Sequence, residues 1–297
     1  MTDTTPAIQI ENLSYAYGRA EAVHGLSLTV PRGRCYGLFG RNGAGKTTTM
    51  KCLLNLLRPQ HGSIRVFGME PAKQEVAVKA RLAYVPDQVA FYPWMSVRET
   101  LDYLASFRTN WNRQAEQELL GRFALDPAHK AGSLSKGQRT QVALIAAVCP
   151  ETDLLVLDEP TSGLDPIVRR EFIETVIGTY QDASPGNRTV FLSTHLISEF
   201  EGLIDQFTII DAGREVMTMQ SDDARNRYQR IRARFAQAIP QIDLSGALRV
   251  QKNGRELEIV ANGGAAELLE RLRTHAPEEL STQALRLEEI FVATLKS

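Results

Sequence analysis

The stretch Gly40–Thr48, "GRNGAGKTT", carries the spacing G-x-x-x-x-G-K-[ST] in full. Those residue types in that order suit the holding of phosphate. Glycines let the backbone wrap close to an anion, so that its N–H groups converge on oxygen atoms. The apolar run "RCYGLFG" before the loop reads as a buried strand. "KTTTMKCLLNLL" after it has the spacing of a helix through Met50, Leu53, Leu54 and Leu57, with "RPQHG" as its stop. A helix N-terminus at this point adds partial positive charge. The expected nucleotide-binding residues are Gly40, Asn42, Gly43, Ala44, Gly45, Lys46, Thr47 and Thr48. Lys46 is expected to reach the β- and γ-phosphates, and Thr47 to place its hydroxyl on Mg²⁺.

A second acidic pair ends another apolar run. In "LLVLDEP", Asp158 and Glu159 follow a nearly continuous apolar strand, the mark of a parallel strand covered on both faces. Asp158 is expected to hold Mg²⁺ through water. Glu159 is expected to polarise the water that attacks the γ-phosphate, where positioning matters more than proton affinity.

The elements that must position these groups are readable along the chain. "AIQIENLSYAY", "GLSLTV" and "SIRVFG" read as strands ahead of and behind the loop. From about Ser96 to Val148 the pattern turns helical, and Ser96 followed by Glu99 forms a capping-box signature. "RTVFLSTHL" is a further buried strand, and "QFTIIDAGREV" a last strand turning at Asp211-Ala212-Gly213. The polar "QSDDARNRYQR" reads as a linker or helix into a second unit. There "RIRARF" alternates as a strand suited to an edge that pairs with another chain. "ALRVQKNGRELEIV" is a hairpin with Asn253-Gly254 at its turn, and "GAAELLERLRTH" and "LEEIFVATLK" are helices.

Composition narrows the class. A chain of 297 residues with 43% hydrophobic content has room for one large α/β domain and a smaller one. Net charge is -1, which gives no basic face for nucleic acid, and none is expected as a partner. Cys35, Cys52 and Cys149 are scattered in apolar surroundings and read as free buried thiols in a reducing cytosol rather than metal ligands. "MTDTTPAIQIENL" lacks the basic and apolar regions of a signal peptide, and no run approaches the roughly 18 apolar residues of a membrane span.

Three further motifs complete an order. "LSKGQRTQVALIAAV" spans Leu134–Val148, "SGLD" spans Ser162–Asp165, and "STHL" contains His195. With Gly40–Thr48 and Asp158–Glu159, this order resembles the nucleotide-binding subunits of ATP-binding cassette (ABC) transporters over about Ile8 to Val216. The resemblance implies an α/β fold. Its P-loop NTPase core, a mixed sheet with helices on both faces, carries an antiparallel β subdomain and an inserted helical subdomain at about 90–150. It places the nucleotide-binding domain at 1–220, and a small α+β accessory domain is expected at 225–297. It implies ATP and Mg²⁺ as ligands and hydrolysis of ATP. Two subunits, as a homodimer, would pair head to tail and sandwich ATP between the phosphate loop of one and the signature residues Ser135, Gly137 and Gln138 of the other. Ser135 is also a good N-cap for its helix. Asp165 falls in the loop linking the two sites, His195 at the switch histidine that contacts the γ-phosphate, and Tyr17 at the adenine-stacking aromatic, with Tyr15 as the alternative.

The sequence departs from the family pattern at two places. The commoner signature, LSGGQ, has glycine where Lys136 stands; Lys136 points outward or pairs with the adjacent loop. In "AYVPDQVAFYPWM" the family's metal-contacting Gln falls at Asp87, with Gln88 one residue later. Asp87 is the expected metal ligand by register, and Gln88 the alternative. The aromatic run Phe91, Tyr92, Trp94 and Met95 follows, where family members receive a coupling helix. At least two of the four are expected to pack inside the helical subdomain and the rest to contact an integral membrane permease encoded separately. The ending "RLEEIFVATL" resembles bacterial exporter subunits of a simple two-gene type, which implies export and a cytoplasmic location, peripheral on the inner face of the cell membrane. The competing readings are a soluble ABC ATPase acting as a mechanical switch and a poorly active half of a heterodimer.

Overall fold

The computed structural model describes residues 5–181 and 188–295. The chain divides into two compact units, Met1–Thr218 and Met219–Ser297.

The first unit is built on a six-stranded sheet. Its order is Leu82–Val85, Leu154–Asp158, Thr189–Thr194, Cys35–Gly40, Gln206–Asp211 and Arg214–Gln220. The first five pair in parallel. Cys35–Gly40, Leu154–Asp158 and Thr189–Thr194 are buried along their whole length, as their apolar runs require when both faces are covered. Register sets their carboxyl ends level: Asp158 lies opposite Ser193, and Phe39 opposite Thr194. That end of an open parallel sheet is where ligands bind.

A three-stranded antiparallel sheet, in the order Ala20–Val30, Ile8–Tyr17, His61–Val66, packs into the same core. Ile8, Ile10 and Leu26 share one buried cluster with Leu38, Met50 and Val156. The inserted helices are Val97–Ala105, Arg113–Arg122 and Lys136–Val148. The first carries the expected capping box between Ser96 and Glu99. Glu116 is fully buried among them and is paired with Arg98, with Arg113 at 2.8 Å and with Trp111 Nε1 at 2.6 Å. The α/β architecture read from the sequence is the one the structure has. The helix after the phosphate loop is shorter than its apolar spacing suggests. It runs Lys46–Leu53 and ends where Asn55 takes φ 58°, ahead of "RPQHG".

The three cysteines are buried. Burial pushes the Cys52 thiol up to about 11 and the Cys149 thiol to about 12, so both stay protonated.

The second unit is an antiparallel sheet in the order Ala247–Asn253, Glu256–Asn262, Tyr228–Arg234, Glu279–Ala284. Helix Ala265–Arg273 covers one face, placing Leu268 and Leu272 against Ile231, Ala233, Phe235, Leu257 and Ile259. "RIRARF" is therefore not an edge. Its strand lies between two others, and it alternates because the opposite face carries Arg230 and Arg232, both paired with Glu258. "SDDARNR" forms a helix, Ser221–Arg227. In the hairpin Asn253 still pairs with Glu256, so the turn's central residues are Gly254, at φ 59°, and Arg255.

Candidate functional site

The phosphate loop leaves strand Cys35–Gly40 and enters helix Lys46–Leu53 through Gly45. Gly45 takes φ 104°, and a Cβ there would collide with the Ala22 carbonyl oxygen, so glycine is required twice over. Arg41, Asn42 and Gly43 are exposed at the tip, while Ala44, Gly45 and Lys46 are buried beneath it. Thr48 is buried too, and Thr47 is half-buried. The Ala44 carbonyl accepts from Gly213 N at 3.1 Å, which pins the loop to the turn before the last sheet strand.

Lys46 is 5% exposed, and its Nζ donates to the carbonyls of Gly40 at 2.8 Å and Arg41 at 3.2 Å. It also lies 2.8 Å from Glu159 Oε1. That contact is an ion pair rather than an aligned hydrogen bond, because the buried Oε1 has no aligned donor. The other oxygen of Glu159, Oε2, sits 2.7 Å from His195 Nδ1 and 3.3 Å from His195 N. Glu159 takes φ 46°, a left-handed conformation that a non-glycine residue keeps only when its surroundings enforce it. Its own N–H donates to Ser193 O at 3.0 Å.

Asp158 is 1% exposed. Its Oδ1 accepts from Ser193 Oγ at 2.6 Å and from Thr47 Oγ1 at 3.1 Å, and its Oδ2 from Tyr84 OH at 3.5 Å. Burial pushes the Asp158 carboxyl above the usual range. The Ser193 and Thr47 hydroxyls pull it back, and the charges of Glu159 and Asp87 push it further up. Burial likewise raises Tyr84, with the charges of Asp158 and Asp87 adding to the effect. Asp87 is thus close enough to act on both groups; it is half-buried, whereas Gln88 is exposed.

Lys46, Thr47, Asp158, Glu159 and His195 therefore meet at the carboxyl ends of three neighbouring strands. Ser193 and Tyr84 were not singled out from the sequence. Ser193 lies in the buried strand Thr189–Thr194, two residues before His195, which follows the strand's end; that nearness in sequence could have pointed to it.

A second group gathers at the start of helix Lys136–Val148. Ser135 caps it, with its Oγ accepting from Gln138 N at 3.2 Å and its N–H donating to Gln138 Oε1 at 2.9 Å. Gly137 packs on Val168, which a Cβ would meet at 3.3 Å. Asp165 Oδ1 accepts from Ile167 N at 3.0 Å and Val168 N at 3.1 Å, capping helix Pro166–Gln181. Of the two orientations open to Lys136, the structure has the one onto the adjacent loop: its Nζ donates to Ser162 O at 2.5 Å. Tyr17 is 49% exposed at a strand end and meets Tyr15 edge-on at 4.9 Å, while Tyr15 packs on the core.

Of the aromatic run, Phe91 and Met95 are half-buried, and Tyr92 and Trp94 are exposed. Trp94, Tyr92, Tyr103 and Phe107 form a surface ladder with ring centres 5.0, 5.9 and 5.1 Å apart. Phe107 and Phe91 line a groove of about 620 Å³ whose walls include the apolar Leu54, Val76, Leu104 and Ala147 and the polar Lys79, Arg108 and Asn110.

A phosphate loop at a strand end, with two carboxylates and a histidine on the neighbouring strands, defines a P-loop ATPase. The profile described as "ABC transporter" matches residues 23–162, and one described as "AAA domain, putative AbiEii toxin, Type IV TA system" matches 128–200. The bacitracin transport ATP-binding protein BcrA of Bacillus licheniformis is 33% identical over 75% of this chain and 72% of its own length. The Nod factor export ATP-binding protein I of Burkholderia orbicola is 34% identical over 70% of this chain and 69% of its own. A solved ATP-binding subunit of an ABC transporter superposes with TM-score 0.67 and 27% identity over 74% of this chain and 92% of that one. The chain belongs to the family of ABC transporter ATP-binding proteins. It binds and hydrolyses ATP as the nucleotide-binding subunit of a transporter.

Proposed function

We propose that this subunit works as a head-to-tail homodimer that drives a separately encoded membrane permease in the direction of export. The observation that carries its ATPase part is the pairing of Lys46 and His195 on the two oxygens of Glu159. A carboxylate held on both sides is fixed where a water between it and a γ-phosphate can be aligned. The exposed loop tip Arg41–Gly43 and the N-terminus of helix Lys46–Leu53 supply donors for the phosphates. Tyr17, with a free ring face, stacks the adenine. Ser135 and Gly137 complete the site across the dimer from the start of their capped helix, and Asp165 joins the two sites.

Among the described residues no three His, Cys, Asp or Glu form a ready-made metal cage. Thr47 and Asp158, already joined by a hydrogen bond, fit Mg²⁺ as it is held with a nucleotide, by few protein oxygens and the phosphates. Asp87, whose charge acts on Asp158, adds a second carboxylate. Mg²⁺ bound there supplies charge neutralisation on the phosphate oxygens. The chain's own residues orient the water and hold the nucleotide.

Among the described residues no helix is long and apolar enough to cross a membrane. The groove beside Phe91 and the ladder from Trp94 to Phe107 suit a permease helix, since large aromatic side chains around an apolar slot make anchoring pockets. Such docking would hold the subunit on the inner face of the membrane. Export is supported by the exporter named among the relatives. Purification from native membranes in mild detergent tests the reading. A polytopic membrane protein should copurify in stoichiometric amount and be lost on Trp94→Ala/Phe107→Ala with ATP binding intact. Recovery without a membrane protein would point to a soluble switch ATPase.

A further inference from the structure

Lys136 opens helix Lys136–Val148, where a cation faces the positive end of the helix dipole and gains nothing from it. The side chain turns instead onto the next loop and donates to Ser162 O at 2.5 Å. Gly163 makes the room. It takes φ 69°, and a Cβ there would lie 3.0 Å from Lys136 Nζ. The connection continues beyond Ser162, whose N–H donates to Glu159 O at 3.1 Å, while Leu164 N donates to Thr161 O at 3.2 Å. The loop is thus a hydrogen-bonded turn that begins at the carboxylate residue and ends under the Lys136 ammonium. Its first residue, Glu159, holds φ 46° and needs enforcement from its surroundings.

We propose that Lys136 is a positioning residue. It ties the start of the signature helix to the turn Glu159–Leu164, so that Ser135, Gly137 and the Glu159 backbone move as one piece. A glycine in its place has no atom to make the tie. The part concerning turnover rests on the reading of Glu159 as the residue that aligns water; the existence of the tie does not. Because the ammonium is exposed, water competes for it, and its loss should slow the enzyme rather than stop it.

The test uses the full chain with Lys136→Met, Lys136→Gly and Lys136→Arg. Hydrogen exchange is first measured on nucleotide-free protein at the amides of Ser162 and Leu164. The Met and Gly variants should exchange about fivefold faster than the parent, the size expected for losing one solvent-exposed charged hydrogen bond. The Arg variant should match the parent, because a guanidinium can still reach the carbonyl. In ATP turnover, kcat should fall by a similar factor in the Met and Gly variants at unchanged KM for ATP, and the Arg variant should restore it. Unchanged exchange in Lys136→Met overturns the proposal. So does a raised KM with unchanged exchange, which would put Lys136 on the nucleotide of the opposing subunit. If the parent shows no ATP turnover, the ATPase reading fails, and the exchange result still decides the tie.

Discussion

Lys46 Nζ lies 2.8 Å from Glu159 Oε1, so the cation proposed to meet the triphosphate is already paired with the carboxylate proposed to align water. On that proposal, nucleotide binding redirects Lys46 away from that partner. Glu159→Gln removes the competing charge and also the group proposed to orient water. We expect ATP to bind at least as tightly as in the parent, while turnover falls by about 10²–10⁴-fold. Lys46→Ala should lose both binding and turnover. A fluorescent ATP analogue, a phosphate-release assay and light scattering for a trapped dimer check this. Weaker ATP binding in Glu159→Gln would show that the pair does not compete with nucleotide.

Asp158 yields a pH prediction. Its carboxyl is raised, chiefly by burial, so the folded chain holds that proton more tightly than the unfolded one. The stability this group contributes is present below the ordinary aspartate range and is lost as pH rises through the raised value. At neutral pH the buried charge is a net cost. Asp158→Asn keeps an oxygen for Thr47 and Ser193 and removes that charge. It should melt higher than the parent at neutral pH, with the difference closing as pH falls toward about 4, and it should not hydrolyse ATP. Thermal melts from about pH 4 to 8 decide it: a variant that melts lower throughout means the hydroxyl bonds outweigh burial.

Gly45→Ala tests the loop itself. The new methyl group meets the Ala22 carbonyl oxygen at a backbone φ of 104°. Strain of this kind costs on the order of 1–3 kcal/mol. We expect a lower melting temperature together with lost ATP binding. Gly43→Ala, with open space around its Cβ and only its φ of 82° to resist, should unfold less readily than Gly45→Ala.

The parts of this molecule that could be read from the sequence are those written in consecutive residues. Gly40–Thr48 carries strand, turn and helix start in one stretch, and the Ser96–Glu99 and Ser135–Gln138 caps lie within a single helical turn. What escaped depends on partners far along the chain. Whether Lys136 faces solvent or a loop is settled by Ser162, and the role of Tyr84 by Asp158. "RIRARF" shows its alternation plainly, but alternation reports that the two faces differ, not that a strand lies at an edge. Only the pairing of Tyr228–Arg234 on both sides places it inside the sheet.

Glu116 is the clearest case of a residue whose importance only the fold reveals. In the sequence it is one acid on the polar helix "RQAEQELLGR"; in the structure its side chain is 0% exposed and is held by Arg98, Arg113 and the Trp111 indole. A buried carboxylate with these partners is satisfied, and removing it leaves the Trp111 indole and Arg98 without their acceptor, while Arg113 retains Asp102 at 2.7 Å. With both arginines partly open to water, Glu116→Ala should cost about 1–3 kcal/mol. Glu116→Gln keeps an acceptor but loses the charge, and should cost less. Chemical denaturation of the two variants checks the order. Both should still bind a fluorescent ATP analogue under native conditions, since no member of this cluster touches the phosphate loop. Equal stability of Glu116→Ala and the parent would mean that the bonds to this carboxylate only offset the cost of burying it.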